Sequence, residues 1–214
     1  MREEFDKLKN LTIEKFLDGL SSASPNLSGS TVSGLSGALA AALISMVCQL
    51  SFGKKDCRVY EDELKRILSE SEKLRREFEL LTEKDSEAFN EAMNAYKMPH
   101  ESEKEVAERK LAIETANKKA ALVPMDILRR CETLAQLSLA IATKGDVNSI
   151  SDAGVASVMT YAAAKGASLG LLNNLSTIAD EDFVGKLSSE QARVLKSIKS
   201  LTEETLQIVE NKLY

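Results

Sequence analysis

A run without a single charged residue stretches from Gly19 to Gly53, in a chain that is otherwise 29 % charged. Its second half opens at Gly29-Ser30-Thr31 and continues through Gly34, Gly37 and Ala38-Leu-Ala-Ala-Ala-Leu-Ile44. Small and apolar residues occupy every face of such a helix, which predicts burial on all sides. Gly34 and Gly37 each cost about 1 kcal/mol relative to alanine. A close approach by another backbone or by a ligand is the usual compensation. The length would suit a membrane span. The wealth of serine and the lack of an aromatic belt favour the central helix of a soluble bundle instead.

The flanking pattern is helical throughout. Thr12 can cap a short amphipathic helix carrying Ile13, Phe16, Leu17 and Leu20. Ser21 to Ser28, with Pro25 and Asn26, reads as a loop, and Gly53 closes the central helix. Beyond it an alternating three-four spacing runs through Leu64, Ile67, Ser71, Leu74, Phe78, Leu81, Asp85, Ala88, Ala92 and Ala95. This seam predicts one long helix from about Tyr60 to Tyr96, ended near Pro99. Asp85 is its misfit. Ser102 and Glu105 form a capping box for a helix with Val106, Ile113 and Ala116 on one face. Pro124 is expected to start or kink the helix that follows, which ends at Lys144-Gly145. Asn148 to Ile178 is a second small-residue-rich segment, suited to pack on the first. Ser188 and Gln191 are expected to cap a last helix carrying Val194, Ile198, Leu201 and Val209. No segment alternates as a strand does. The expected fold is all-α: one domain over residues 1–214, a bundle of about six long helices around a buried small-residue-rich central helix.

Composition narrows the function. Hydrophobic residues make up 43 % of the chain, as in globular proteins, and three prolines and ten glycines leave few breaks. A net charge of −5 argues against nucleic acid and suits a cationic ligand. Cys48, Cys57 and Cys131 are odd in number and lack CxxC spacing, so neither disulfides nor zinc is indicated. The N-terminal Met1 to Asp6 lacks the apolar core of a signal peptide, and the expected location is cytoplasmic. His100 is the single histidine, which excludes a di-iron bundle on ligands. P-loop, dinucleotide and nucleophile-elbow motifs are absent.

Chemistry has few places to reside. Asp85 on an apolar seam must find a partner or lose its charge. Either it forms a buried ion pair in a purely structural bundle, or the seam opens into a ligand pocket, for which the alanines at 88, 92 and 95 leave room. Asp152 sits in a helix first turn, where it complements the dipole, yet it can also face inward beside Asp85. Two inward carboxylates serve as acid and base or stabilise a cation. Ser28-Gly29-Ser30-Thr31 opens the central helix, either as a plain cap or as a cradle for a ligand oxygen. Lys54-Lys55 complements a helix C-terminus or meets an anionic group.

These residues resemble a known family. Ser24-Pro25, Ser28-Gly-Ser-Thr-Val32, Leu35-Ser-Gly-Ala-Leu-Ala-Ala-Ala-Leu43, Gly53-Lys-Lys55 and Lys84-Asp-Ser-Glu-Ala-Phe89 are similar to motifs of the formiminotetrahydrofolate cyclodeaminase / methenyltetrahydrofolate cyclohydrolase family. Ala95-Tyr-Lys-Met-Pro99, Val123-Pro124, Ser151-Asp-Ala-Gly-Val-Ala156 and Asn174-Leu175 continue the match in order, over about Leu11 to Val184. The resemblance implies an all-helical homodimer acting on one-carbon units of tetrahydrofolate, with no metal or cofactor. One chemistry closes N10 onto a formimino carbon at N5 and releases ammonia; the other adds water to the methenyl cation. It places Asp85 and Asp152 at the cation and proton-transfer steps. Ser28, Gly29, Ser30, Thr31 and Asn174 would then bind substrate, with Lys54 meeting an anionic part of it. The chain also departs from the family. Ser28-Gly29-Ser30 replaces a run of three glycines, Leu27 stands where a proline is frequent, and Gly170 replaces an asparagine. Two added side chains are expected to crowd a ligand at that backbone. They motivate an alternative: a catalytically degenerate helical dimer that binds a ligand or a protein partner.

Overall fold

A computed structural model describes residues 10–22 and 27–214. Ser24, Pro25 and Asn26, expected in a loop, and the N-terminal Met1 to Asp6 lie outside the described residues. Among the described residues six α-helices carry the fold: α1 Ile13–Ser21, α2 Gly29–Ser51, α3 Glu61–Tyr96, α4 Glu103–Lys144, α5 Ile150–Leu175 and α6 Glu181–Leu213. Short 3₁₀ turns at Lys55–Tyr60 and Val147–Ser149 join α2 to α3 and α4 to α5. No strand occurs among the described residues, as the periodicity predicts.

The α3 seam lies along α2. Gly37 receives the ring of fully buried Phe78, so that a Cβ there would fall 2.6 Å from the ring. Gly34 likewise lets Thr82 approach, and the buried hydroxyls of Ser45 and Ser71 meet at 2.8 Å further along the pair. The two helical glycines are therefore offset by close approach of α3. On the opposite flank α2 runs antiparallel to α5, with Ser33 against Gly166 and Ser30 against Gly170. Helix α4 fills the centre with Met125, Ile127, Leu128, Cys131 and Leu134, and α6 closes the α4–α5 side with Val194 and Ile198.

Three expectations change. Of the two readings of Pro124, a helix start is excluded: α4 runs through it, and the proline is buried inside that 42-residue helix. Ser188 and Gln191 lie inside α6, where Gln191 donates to Ser168 of α5 at 2.6 Å. The true cap is Asp180, which accepts from Phe183 N and is anchored by Lys118, while Glu114 accepts the backbone N–H groups of Ala179 and Asp180. Finally, α2 is not buried on every side. Leu35, Leu39, Met46 and Leu50 form an exposed stripe, Leu39 at 49 % and Leu50 at 47 %. Val155, Val158, Leu169 and Leu172 form a second on the neighbouring face of α5. Both helices are long and apolar enough to cross a membrane by length and composition, but their remaining faces are consumed by the bundle core.

Candidate functional site

Where α3 passes the N-terminus of α2, its seam changes from large residues to Asp85, Ala88 and Ala92, and a cavity of about 560 Å³ opens. Ser28, Gly29 and Ser30 form one rim; Phe89, Met93 and Tyr96 of α3 form an apolar and aromatic wall. Gly166, Leu169, Gly170, Asn173 and Asn174 of α5 close the far side, with Asn117 and Ala120 of α4 below. Ala88 and Ala92 supply the room anticipated from their size, whereas Ala95 is buried outside the lining.

Asp85 is held by hydroxyls. Ser28 Oγ donates to its Oδ2 at 2.8 Å and Thr31 Oγ1 at 3.4 Å. The same Ser28 Oγ accepts from the backbone N–H groups of Ser30 and Thr31, and Thr31 Oγ1 accepts from Ser28 N, which makes a capping box. The α2 N-terminus thus binds Asp85 through its own cap, in the position where a helix dipole favours an anion. Burial pushes the Asp85 carboxyl above the usual carboxylate range, and hydrogen bonds from Ser28, Thr31 and Ser30 pull the other way. No lysine or arginine pairs with it among the described residues. An ion pair without a neighbouring cavity, the expectation for a purely structural bundle, is not what α3 builds here.

The two serines do not crowd the cavity. Ser28 is turned onto Asp85, and Ser30 is buried against α5, where Gly170 leaves it room. Asn174 donates Nδ2 to Ala120 O at 2.9 Å, which fixes its amide plane at the cavity edge. Asn117, missed by the sequence reading, donates to Tyr96 OH at 3.2 Å and Thr177 O at 3.4 Å, and so orients a phenol over the cavity. Its signal was present: an amide four residues after Ile113 on an otherwise apolar face.

Two sequence candidates stand elsewhere. Asp152 is in the first turn of α5, and the first cavity-lining position of that helix is Gly166, about 21 Å further along. It therefore does not face inward beside Asp85 in the same chain; a shared apolar stripe fixes direction around a helix but not level along it. Lys54 follows the other end of α2, about 35 Å from Ser28, where it pairs with Asp146 at 3.6 Å. A second cavity of about 300 Å³ opens there, among Lys54, Lys55, Lys144 and Lys212. Lys212 reaches the carbonyls of Ala142 and Thr143 at the C-terminus of α4, and Lys144 pairs with Glu63. Of the sequence candidates, Ser28, Gly29, Ser30, Thr31, Asp85 and Asn174 come together around the first cavity.

The formiminotransferase-cyclodeaminase family model matches residues 12–193. A methenyltetrahydrofolate cyclohydrolase of Methylorubrum extorquens is 39 % identical over 95 % of this chain and 98 % of its own length. The formimidoyltransferase-cyclodeaminase of Gallus gallus is 28 % identical over 89 % of the chain, which spans only 35 % of that larger protein. Among solved structures, formiminotetrahydrofolate cyclodeaminase from Thermotoga maritima superposes with a TM-score of 0.87 at 30 % identity, covering 96 % of this chain and 99 % of that one.

Proposed function

The chain belongs to the formiminotransferase-cyclodeaminase family, and we propose that it is a folate one-carbon enzyme that hydrolyses methenyltetrahydrofolate. The observation that carries the reading is a half-buried carboxylate without a cationic partner, held at a helix N-terminus on the wall of a cavity that also presents amides and an aromatic face. The greater likeness to a cyclohydrolase, over nearly the full length of both chains, favours hydration. The structural likeness to a cyclodeaminase supports a second reading, ring closure with loss of ammonia from 5-formiminotetrahydrofolate.

Both reactions pass through a cationic amidine-type centre and a tetrahedral carbon. Asp85 attracts the cation electrostatically, and its raised proton affinity suits it to take the proton of an attacking water. In hydration, water adds one O–H oxygen to the methenyl carbon and yields its proton to Asp85. Collapse of the resulting carbinolamine releases its hydroxyl proton to solvent as the C=O forms and breaks one C–N bond, whose nitrogen takes the proton held by Asp85, leaving a formyl group on the other nitrogen and one proton released overall. Phe89 and Tyr96 offer flat surfaces for a pterin or aryl ring, and Asn174 and Gly29 line the same cavity. Neither reaction transfers electrons, and the substrate carries its own electrophilic cation; the proposal needs no cofactor. We further propose a cytoplasmic, single-domain homodimer, supported by the exposed apolar stripes on α2 and α5 and by three buried free thiols.

Absorbance of the methenyl chromophore tests this. Enzyme-dependent decay with methenyltetrahydrofolate, reduced at least about 100-fold in Asp85→Asn, is the expected result. Chromophore gain from the formimino compound selects the second reading. No change with either substrate overturns both and leaves the non-catalytic dimer.

A further inference from the structure

Asp85 stands at one end of the α3 wall of the cavity and Tyr96 at the other. The two are roughly three turns, about 16 Å, apart along one face of the helix. Phe89, Met93 and Tyr96 leave 40 %, 38 % and 42 % of their surfaces uncovered along this wall. Tyr96 also carries a hydroxyl, and Asn117 fixes its polarity. The Asn117 side chain is buried, with Nδ2 3.4 Å from Thr177 O and 3.2 Å from Tyr96 Oη. A carbonyl oxygen only accepts, so the amide nitrogen must face Thr177, and the same nitrogen donates to the phenol. Tyr96 Oη is therefore the acceptor in that pair. Its own hydrogen finds no acceptor among the described residues and is left to the cavity.

Charge at this end is unbalanced as well. Arg109 of α4 donates Nη2 to Tyr96 O at 2.9 Å, makes no ion pair among the described residues, and has its Nε buried without a partner. Glu105, one turn before it, is committed to the α4 cap. Nearby lysines are already paired, Lys118 with Asp180 and Glu114 and Lys119 with Glu91. Arg109 thus keeps its full charge at the end of the wall.

We propose that this end of the cavity takes the p-aminobenzoyl-glutamate half of the substrate, with the Tyr96 hydroxyl donating to its amide carbonyl. Asn117 keeps the phenol in the donor role, and Arg109 faces the glutamate carboxylates. The inference rests on the folate reading above and adds which half of the ligand lies where. Ligand chemistry sets the direction. With the methenyl carbon against Asp85, the pterin oxo group stands beside N5, next to that centre and far from Tyr96. The remote edge of a reduced pterin presents mostly N–H donors, which a phenol donor does not satisfy. The benzoyl carbonyl lies a full phenylene ring beyond N10, accepts a hydrogen bond, and is followed by anionic groups. Phe89 and Met93 then lie along the phenylene ring.

Tyr96→Phe keeps the ring and removes the hydroxyl. KM for methenyltetrahydrofolate is expected to rise about 10-fold while kcat stays within about twofold. The acid limb of the kcat/KM profile belongs to Asp85 and is expected to stay in place. A fall in kcat at unchanged KM would put the phenol at the reacting carbon and overturn the assignment. Asn117→Asp replaces the donor to the phenol by an acceptor, which takes the hydroxyl hydrogen away from the ligand. Its KM is expected to match that of Tyr96→Phe, and the double variant to be no worse. A wild-type KM in Asn117→Asp overturns the orienting role; should the buried aspartate unfold the chain, Tyr96→Phe carries the test alone.

Calorimetry reads the charge without turnover, using 5-formyltetrahydrofolate and its diamide, in which both glutamate carboxylates are amidated. Amidation and Arg109→Gln are each expected to weaken binding about fivefold, and the two together no further. Effects that multiply would show that Arg109 does not meet the carboxylates. A wild-type chain that neither turns over nor binds any of these folates overturns the folate reading itself. A wild-type chain that does, with Tyr96→Phe unchanged in KM and affinity, overturns this inference alone.

Discussion

A Cβ built on Gly170 falls 2.6 Å from Ser30 Oγ, so the serine of α2 occupies the space that a side chain on α5 would need. Two of the departures that the family resemblance brought out are thus one structural unit: Ser30, expected as a glycine, faces Gly170, expected as an asparagine. That pairing accounts for an open cavity where crowding was expected.

Gly170→Ala forces the Ser30 hydroxyl off its position and is expected to destabilise by about 1–2 kcal/mol, an overpacking cost. With Ser30→Gly already present, the same change meets only Pro124 Cβ at an ordinary contact distance of 3.9 Å and is expected to stabilise by up to about 1 kcal/mol through helix propensity. Urea unfolding of the four proteins gives the coupling directly, and additive effects would show that the two positions do not share the space.

Gly37 makes a harder contact. Three ring atoms of Phe78 lie 2.6–2.8 Å from its added Cβ, and the ring is fully buried. Gly37→Ala is expected to lower stability by about 1–3 kcal/mol despite the better helix propensity of alanine. Gly29→Ala, with nothing within 4 Å of its added Cβ, is the control and is expected to change stability by less than about 0.5 kcal/mol. Comparison of thermal midpoints checks both.

Much of this architecture is written in local pattern. Asp85 is legible because eight positions of small or apolar residues and one serine define a seam that a carboxylate interrupts, and the glycines at 34 and 37 announce a close approach whose partner proved to be α3. What periodicity does not carry is level along the bundle. Asp152 and Lys54 sit on suitable faces at the wrong heights, and only the antiparallel packing of α2 on α5 reveals it. A helix apolar all round likewise does not state which face the monomer leaves uncovered. The start of α6 was hidden for a different reason. Ser188 and Gln191 satisfy the spacing of a cap inside a helix, while the actual cap depends on Glu114 and Lys118 from α4, a tertiary support no local window contains.

Stability should record the burial of Asp85. Its folded pKa lies above the ordinary carboxylate value of about 4, so the native state keeps a proton over a window in which the unfolded chain has lost it. The associated stability is present below that ordinary value and is lost as pH rises through the folded pKa. Asp85→Asn keeps an acceptor for Ser28 and removes the ionisation, so its melting temperature is expected to exceed that of the wild type at neutral pH. The gain should vanish in acid; a pH-independent difference would show that burial of the charge is not its source.

Ser28 offers the matching kinetic measurement. Its hydroxyl donates to Asp85 and favours the ionised form, against the larger opposing effect of burial. Removing it in Ser28→Ala raises the proton affinity of Asp85 further, so a reaction that needs the carboxylate ionised loses rate at a higher pH than the wild type does. The acid limb of the kcat/KM profile for methenyltetrahydrofolate is therefore expected to move upward, while the alkaline limb stays in place. Loss of the α2 cap should also cost about 1 kcal/mol of stability, which Ser28→Thr recovers by retaining a hydroxyl. Recovery of stability by threonine together with return of the acid limb separates tuning of Asp85 from mere damage to the helix end. An unshifted limb in a folded Ser28→Ala protein would mean that another group governs the acid side of the reaction.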